Sequence, residues 1–316
     1  MTQQTEKTKA DFDEYYWRNI YPLMLDKEKV RKRYLANLKR LIAISAIVLP
    51  LVIWFAWKCV NEYDQEWAAN VTYFAIAVNA FILRGPFKIY KKLVKNDIMN
   101  LFIKFFEGFS YKQGAGLSYY EFIDSNIFPK FDRIETDDCF YGTYHDVQVR
   151  VCEEKLIKSR VDSKGRRHNE TMFFGIVLEL DMNKKFLYQT YVTKDRGILN
   201  RFSKKSGFEK VALEDVVFEK AFEAYSENQI EARYLLTTAF MERMLKLKEA
   251  YKGKDIQFSF YDSKVMIAIN TKEDMFEPCS LLKTNLREEQ VYKVYDQFMM
   301  IFSIIDMLKL NQRTGL

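Results

Sequence analysis

Two apolar stretches, residues 41–57 and 67–83, lie only nine residues apart and constrain this chain more than any other feature. A spanning helix needs about 20 predominantly apolar residues to cross roughly 30 Å of hydrocarbon. The first stretch, carried on to Val60, meets that length with one charge, Lys58, near its end, where an ammonium can reach headgroups. Trp54, Trp57 and Trp67 bunch at the turn, as an interfacial aromatic belt does. Pro50 sits mid-span, where proline is tolerated and can kink the helix. Asn70, Thr72 and Asn79 make the second stretch more polar. A neighbouring helix houses such side chains more readily than lipid, and Asn79 could serve a bond between subunits of a homo-oligomer.

Charge sets the orientation of this hairpin. Residues 1–40 carry 10 Lys and Arg against 6 Asp and Glu, and residues 84–104 carry 6 against 1. The connecting loop 58–66 sets Lys58 against Glu62, Asp64 and Glu66. The positive-inside rule then places both termini in the cytoplasm and the acidic loop outside. From residue 105 onward 32 basic residues meet 33 acidic ones, so the net charge of +6 is juxtamembrane. Basic residues there set topology and attract anionic lipid, so no nucleic-acid partner is expected.

The expected organisation is an α+β protein. A cytoplasmic tail and juxtamembrane helix fill 1–40 and the transmembrane helical hairpin 41–83. A basic amphipathic helix and linker follow over 84–116, then a cytoplasmic domain over 117–316. In the third segment, apolar residues repeat over 87–109 beside Lys88, Lys91 and Lys92, which suits headgroup contact or packing on the following domain. Ser118 and Glu121 form a capping box for a short helix. Strands are expected at 144–157, 171–180, 186–193 and 218–225, with a polar hairpin tip at 162–168 whose Lys164, Arg166 and Arg167 could touch headgroups or an acidic partner. A helix over 237–251, a hairpin pairing 256–261 with 265–269, and a final helix capped by Asn285 with Glu288 complete the reading. Strands grouped this way, with flanking helices, fit an antiparallel α+β domain better than alternating βα units.

The chemistry-bearing patterns are sparse. There is no P-loop, nucleophile elbow, HExxH or kinase signature. Cys59, Cys139, Cys152 and Cys279 form no CxxC pair, and in a reducing cytoplasm no disulfide is expected. Cys139, His145 and Cys152 match no common zinc spacing. His145 and Asp146 adjoin, but neighbours on a strand point to opposite faces. The carboxylate pairs Asp137-Asp138, Glu153-Glu154, Glu214-Asp215 and Glu273-Asp274 read as solvated charge near turns or edges. No catalytic residue, cofactor site or metal site is therefore assigned.

One block is more distinctive. Phe222, Tyr225 and Ser226, then Glu231, Ala232, Arg233, Tyr234, Leu235, Leu236 and Thr237, followed by Met241, Glu242 and Arg243, resemble the bacterial DUF3137 family. The run Asp274, Met275, Phe276, Glu277 and Pro278, the turn from Asn183 to Phe186, and the early Tyr21-Pro22 are similar too. The resemblance implies an inner-membrane-anchored protein without an established activity, whose partner could be of the LemA type. Together these readings point to a membrane-anchored cytoplasmic interaction module. Its expected partners are the bilayer and another protein, with Glu231, Arg233 and Tyr234 as candidate surface; the block could equally be core. The alternative is a domain that binds lipid or a small ligand, possibly as an enzyme, at the membrane surface.

Overall fold

The computed structural model describes residues 8–63, 67–182, 185–194, 205–251 and 254–308. They divide into a helical unit, residues 8–105 and 277–293, and a sheet unit, residues 106–276 and 294–308. The acidic loop residues Asp64 and Glu66, and Asn183 and Lys184 of the expected turn, lie outside the described residues.

In the helical unit, Thr8 and Asp11 form a reciprocal capping box that opens α1 (Lys9–Tyr15). The chain then widens into one π-helical turn, Tyr16–Ile20, before α2 (Tyr21–Tyr63). Pro22 explains the widening. It has no N–H to offer Arg18, its ring crowds that carbonyl, and the Tyr21 N–H reaches back to the Tyr16 carbonyl instead. The return helix α3 spans Trp67–Ile103. At 1.5 Å per residue, both helices outrun the roughly 30 Å their apolar stretches require. The segments flanking the apolar stretches are thus the continuous ends of these two helices; Pro86 is accommodated inside α3.

The helices pair antiparallel. The Asn79 amide donates to Ser45 Oγ at 2.7 Å, the Tyr34 and Tyr90 rings lie 6.1 Å apart, and Lys27 pairs with Asp97. Asn79 therefore spends a donor within its own chain rather than between subunits. The lower half of α3 is amphipathic, with Val94, Ile98, Met99 and Phe102 buried. Phe12 of α1 fits beside Phe102 and Phe105, with ring centroids at 5.8 and 5.1 Å.

Segment 277–293, distant in sequence, closes this unit through polar bonds. Glu28 and Arg31 are buried and hydrogen-bonded to each other at 2.7–2.8 Å. Arg31 Nη1 donates to the Leu281 carbonyl at 3.0 Å, and the Asn285 N–H donates to Glu28 at 3.0 Å. Tyr90 Oη donates to Asn285 Oδ1 at 2.9 Å. Asn285 is consequently buried rather than capping, and the last helix starts only at Glu289.

The sheet unit is built on nine antiparallel strands among the described residues. They are β1 (Phe109–Gln113), β2 (Arg133–Tyr144), β3 (Val147–Val161), β4 (Arg167–Asp181), β5 (Thr190–Lys194), β6 (Glu209–Lys210), β7 (Phe222–Ser226), β8 (Asp255–Tyr261) and β9 (Lys264–Asn270). Their spatial order is β1-β2-β3-β4-β9-β8-β5-β7-β6. The helices are α4 (Tyr119–Asp124), capped by Ser118 and Glu121 as expected, α5 (Val216–Ala221), α6 (Gln229–Leu235), α7 (Thr238–Ala250) and α8 (Glu289–Leu308). The unit boundary falls inside α8, after Lys293.

Three local readings differ from expectation. The expected 87–109 helix stops at Ile103, a turn follows, and Phe109 opens edge strand β1. The strand expected from Phe218 begins at Phe222, because the Asp215 carboxylate accepts from the Val217 and Phe218 N–H groups and caps a helical turn first. His145 and Asp146 form the β2–β3 turn with φ of 46° and 65°. Two positive φ angles give a turn whose twist matches its strands.

Alternation gives the sheet two apolar faces. One carries Cys139, Cys152, Val177, Tyr191, Tyr225 and Met266, covered by Phe122 of α4 with Phe128 and Phe131. On the other, Phe140 packs on Phe298 of α8 at 5.1 Å and Phe260 on Phe240 of α7 at 5.9 Å. Cys139 and Cys152 stand directly opposite each other, Cα atoms 4.1 Å apart, and their sulfurs are bonded. This corrects the expectation of no disulfide. A register shift between Thr136 and Cys139 aligns the two cysteines across the ladder, which spacing in sequence does not show.

Candidate functional site

The candidate surface is built by α6. Asn228 caps it, accepting from the Ile230 and Glu231 N–H groups at 3.0 Å each. Ala232 and Leu235 point into the core, so this short helix must turn Ile230, Arg233 and Tyr234 outward. Within the block, Tyr225 and Leu236 are core, whereas Arg233 and Tyr234 are exposed. Glu231 is half-buried and structural, accepting from the Leu187 N–H at 3.0 Å. That bond brings an unforeseen loop to the helix and adds exposed Leu187 and Tyr188 to exposed Ile230 and Tyr234. Tyr234 is 75% exposed and Leu187 77%. The signal in sequence was a helix apolar on two sides, Ala232 and Leu235 against Ile230 and Tyr234.

Gln189 locks the loop beside this patch. Its N–H donates to Glu227 at 2.8 Å, and its amide bridges the Asp124 carbonyl and Ser259. The patch is thus presented by a pinned backbone, which lowers the ordering cost of binding.

The basic residues singled out from sequence separate into two groups. Lys164, Arg166 and Arg167 sit at the exposed end of the β3–β4 hairpin, with Arg166 Nε held by Asp162 at 3.0 Å. On α3, Lys88 and Lys92 are exposed, whereas Lys91 pairs with Glu277 at 2.8 Å.

Three of the paired carboxylates are buried rather than solvated: Asp138, Glu153 and Glu154. The reason is that β2 and β3 are covered on both faces. Tyr111 Oη donates to Asp138 at 2.6 Å, and the Met275 N–H donates to Glu153 at 2.7 Å. Asp137, Asp138 and Glu153 can each bring one oxygen within 4.8 Å of the others. Those two bonds give Asp138 and Glu153 a structural role, and an acidic trio alone assigns no metal. Cys139 and Cys152 are bonded to each other, so they make no zinc site with His145, whose Nδ1 lies 3.7 Å from Asp306 instead of meeting Asp146.

Glu154 is a strongly perturbed acid. Burial pushes its carboxyl up to about 7, against the opposing effect of the Thr136 hydroxyl at 2.6 Å and the Leu117 N–H at 2.9 Å. Burial also works against Glu121, but the Ser118 N–H and Arg150 prevail and hold it below the usual carboxylate range. Arg150 in turn reaches Glu179, which Lys264 contacts at 3.0 Å. This network pins α4 to the sheet and has the character of a structural clamp.

Residues 171–310 match the family model described as protein of unknown function, DUF3137. No curated protein matches the chain. Among solved structures the chain is similar to a mycobacterial trehalose monomycolate transport factor A, TtfA, at 8% identity with a TM-score of 0.33. That alignment covers 63% of this chain and 88% of the other; at such a score it carries no functional argument.

Proposed function

We propose, from the premise that residues 171–310 belong to the DUF3137 family, that this protein is a bacterial inner-membrane interaction module. In this reading α2 and α3 cross the bilayer as a hairpin with both termini cytoplasmic, although the Cys139–Cys152 bond is a feature of oxidising compartments. Support comes from two helices long and apolar enough to cross, with almost nothing covering their apolar stretches. Basic flanks on both outer ends support the orientation. Lys88, Lys92 and the 164–167 tip are the proposed headgroup contacts.

The observation that carries the interaction reading is the exposed cluster Leu187, Tyr188, Ile230 and Tyr234, with Arg233 beside it. Aromatic and arginine side chains are favoured anchors of protein interfaces. The family resemblance makes an envelope-associated protein of the LemA type the first partner to seek. The test is crosslinking of the tagged full chain in native membranes, followed by affinity purification and mass spectrometry. One partner in near-equal amount is expected, lost in Tyr234→Ala and Ile230→Ala variants that unfold at the parent temperature. Recovery of the chain alone would sink this reading.

A further inference from the structure

One flank of α3, beside the side that meets α2, is unusual in where it ends. Val71, Phe74, Val78, Ile82, Ile89 and Leu93 are all exposed. Their spacing repeats every eleven residues: 71, 82 and 93; 78 and 89; Phe74 and Gly85. Eleven residues make three turns at 3.67 per turn, close to the 3.6 of a straight helix, so the row stays on one side. Gly85 belongs to the row, and a Cβ built there would meet nothing within 4 Å. Asn79 points elsewhere, toward Ser45.

The row outlasts the lipid that could cover it. With Arg84 at the hydrocarbon boundary, Ile89 lies about 7.5 Å and Leu93 about 13.5 Å further along the axis at 1.5 Å per residue. The headgroup layer on one side is only about 5–8 Å deep. Ile89 and Leu93 nevertheless remain 52% exposed each. Because α3 is unbroken from Trp67 to Ile103, this part cannot lie flat in the interface as a separate helix. What covers the face must contact it in hydrocarbon and in water alike, which calls for another membrane-crossing helix.

We infer that the occupant is α3 of a second copy, paired in parallel about a twofold axis along the membrane normal. The inference rests on the membrane reading proposed above. Such an axis brings each residue of the row near its own equivalent, so the face must be self-complementary. It is: apolar along its length, with close approach allowed at Gly85, and ending at uncharged Asn96 and Asn100. Their amides are already oriented, Asn100 donating to the Asn96 carbonyl and side chain at 2.8 and 3.1 Å. Amides donate and accept, so like can face like without charge repulsion. Lys88 flanks the row at headgroup level, and Lys92, about 12 Å beyond Arg84, can reach back along its stem to anionic headgroups.

The test uses the full chain carrying Cys59→Ser, with single Ile89→Cys, Leu93→Cys or Phe87→Cys substitutions, oxidised in native membranes. Phe87 is exposed too but lies on nearly the opposite side of the helix, 200° from Ile89 at 100° per residue. A covalent dimer is expected from the Ile89 and Leu93 variants and is lost in the Phe87 variant. Equal dimer at all three positions, a crosslink to a different protein, or no dimer while the chain resists carbonate extraction would each overturn the pairing. Release by carbonate would overturn the membrane reading, and this inference with it.

Discussion

Glu154 shows how far burial can move one side chain. Its folded carboxyl titrates near 7, above the ordinary value of 4.5, chiefly because it is desolvated. A raised carboxylate binds its proton in the folded state after the unfolded chain has released it. Stability is therefore fully present below the unfolded value and is lost as pH rises through the folded one. Thermal stability of the full chain is expected to fall as pH rises from about 4.5 to about 7 for this reason. The Glu154→Gln variant, which can still accept from Leu117 and bond Thr136, is expected to show a flatter profile over that range. An unchanged slope would mean that another group is titrating. Nothing in the adjacent pair Glu153-Glu154 distinguishes a buried acid from a solvated one; only the strands that cover it do.

At the level of elements, polar bonds join parts of the chain that hydrophobic periodicity treats as separate. Segment 277–293 is held on α2 by Glu28, Arg31 and Asn285. The hydrogen bond from Arg31 is the main influence that keeps Glu28 below the usual carboxylate range. Arg31→Ala would strand Glu28 as a buried unpaired charge, at a cost of about 3–5 kcal/mol. The expected outcome is a lower unfolding midpoint and faster proteolysis around residues 277–293, measured on the detergent-solubilised chain. The pair's contribution is present above the ordinary carboxylate value and is lost as pH falls through Glu28's lowered one. Helices with clear signals, such as the Ser118 capping box and the apolar stripe of α8, were legible because those signals are local. Edge strand β1 was not, since Phe109 continues the helical spacing of Phe105 and Phe106 until pairing with Gly142 makes it a strand. The Asn285 cap failed similarly, a tertiary partner taking the side chain a local rule had assigned.

For the molecule as a whole, the charge asymmetry about the hairpin makes a topology experiment decisive. In a Cys59→Ser chain, a cysteine placed at exposed Asn61 is expected to react with an impermeant thiol reagent from outside intact cells. One at exposed Ser163 is expected to react only after permeabilisation. The reverse pattern would overturn the orientation.

The sequence by itself determined the α+β class, the paired apolar helices and the charge bias around them, because length, hydropathy and charge count act along the chain without needing partners. It also carried the DUF3137 likeness over residues 171–310. Only the tertiary structure decided that Cys139 meets Cys152, that Glu231 is a bracket for Leu187 while Tyr234 is surface, and that Asn79 is satisfied by Ser45. Each of those outcomes depends on which backbone lies opposite, and strand register and helix rotation are set by the packing of the whole rather than by any one segment.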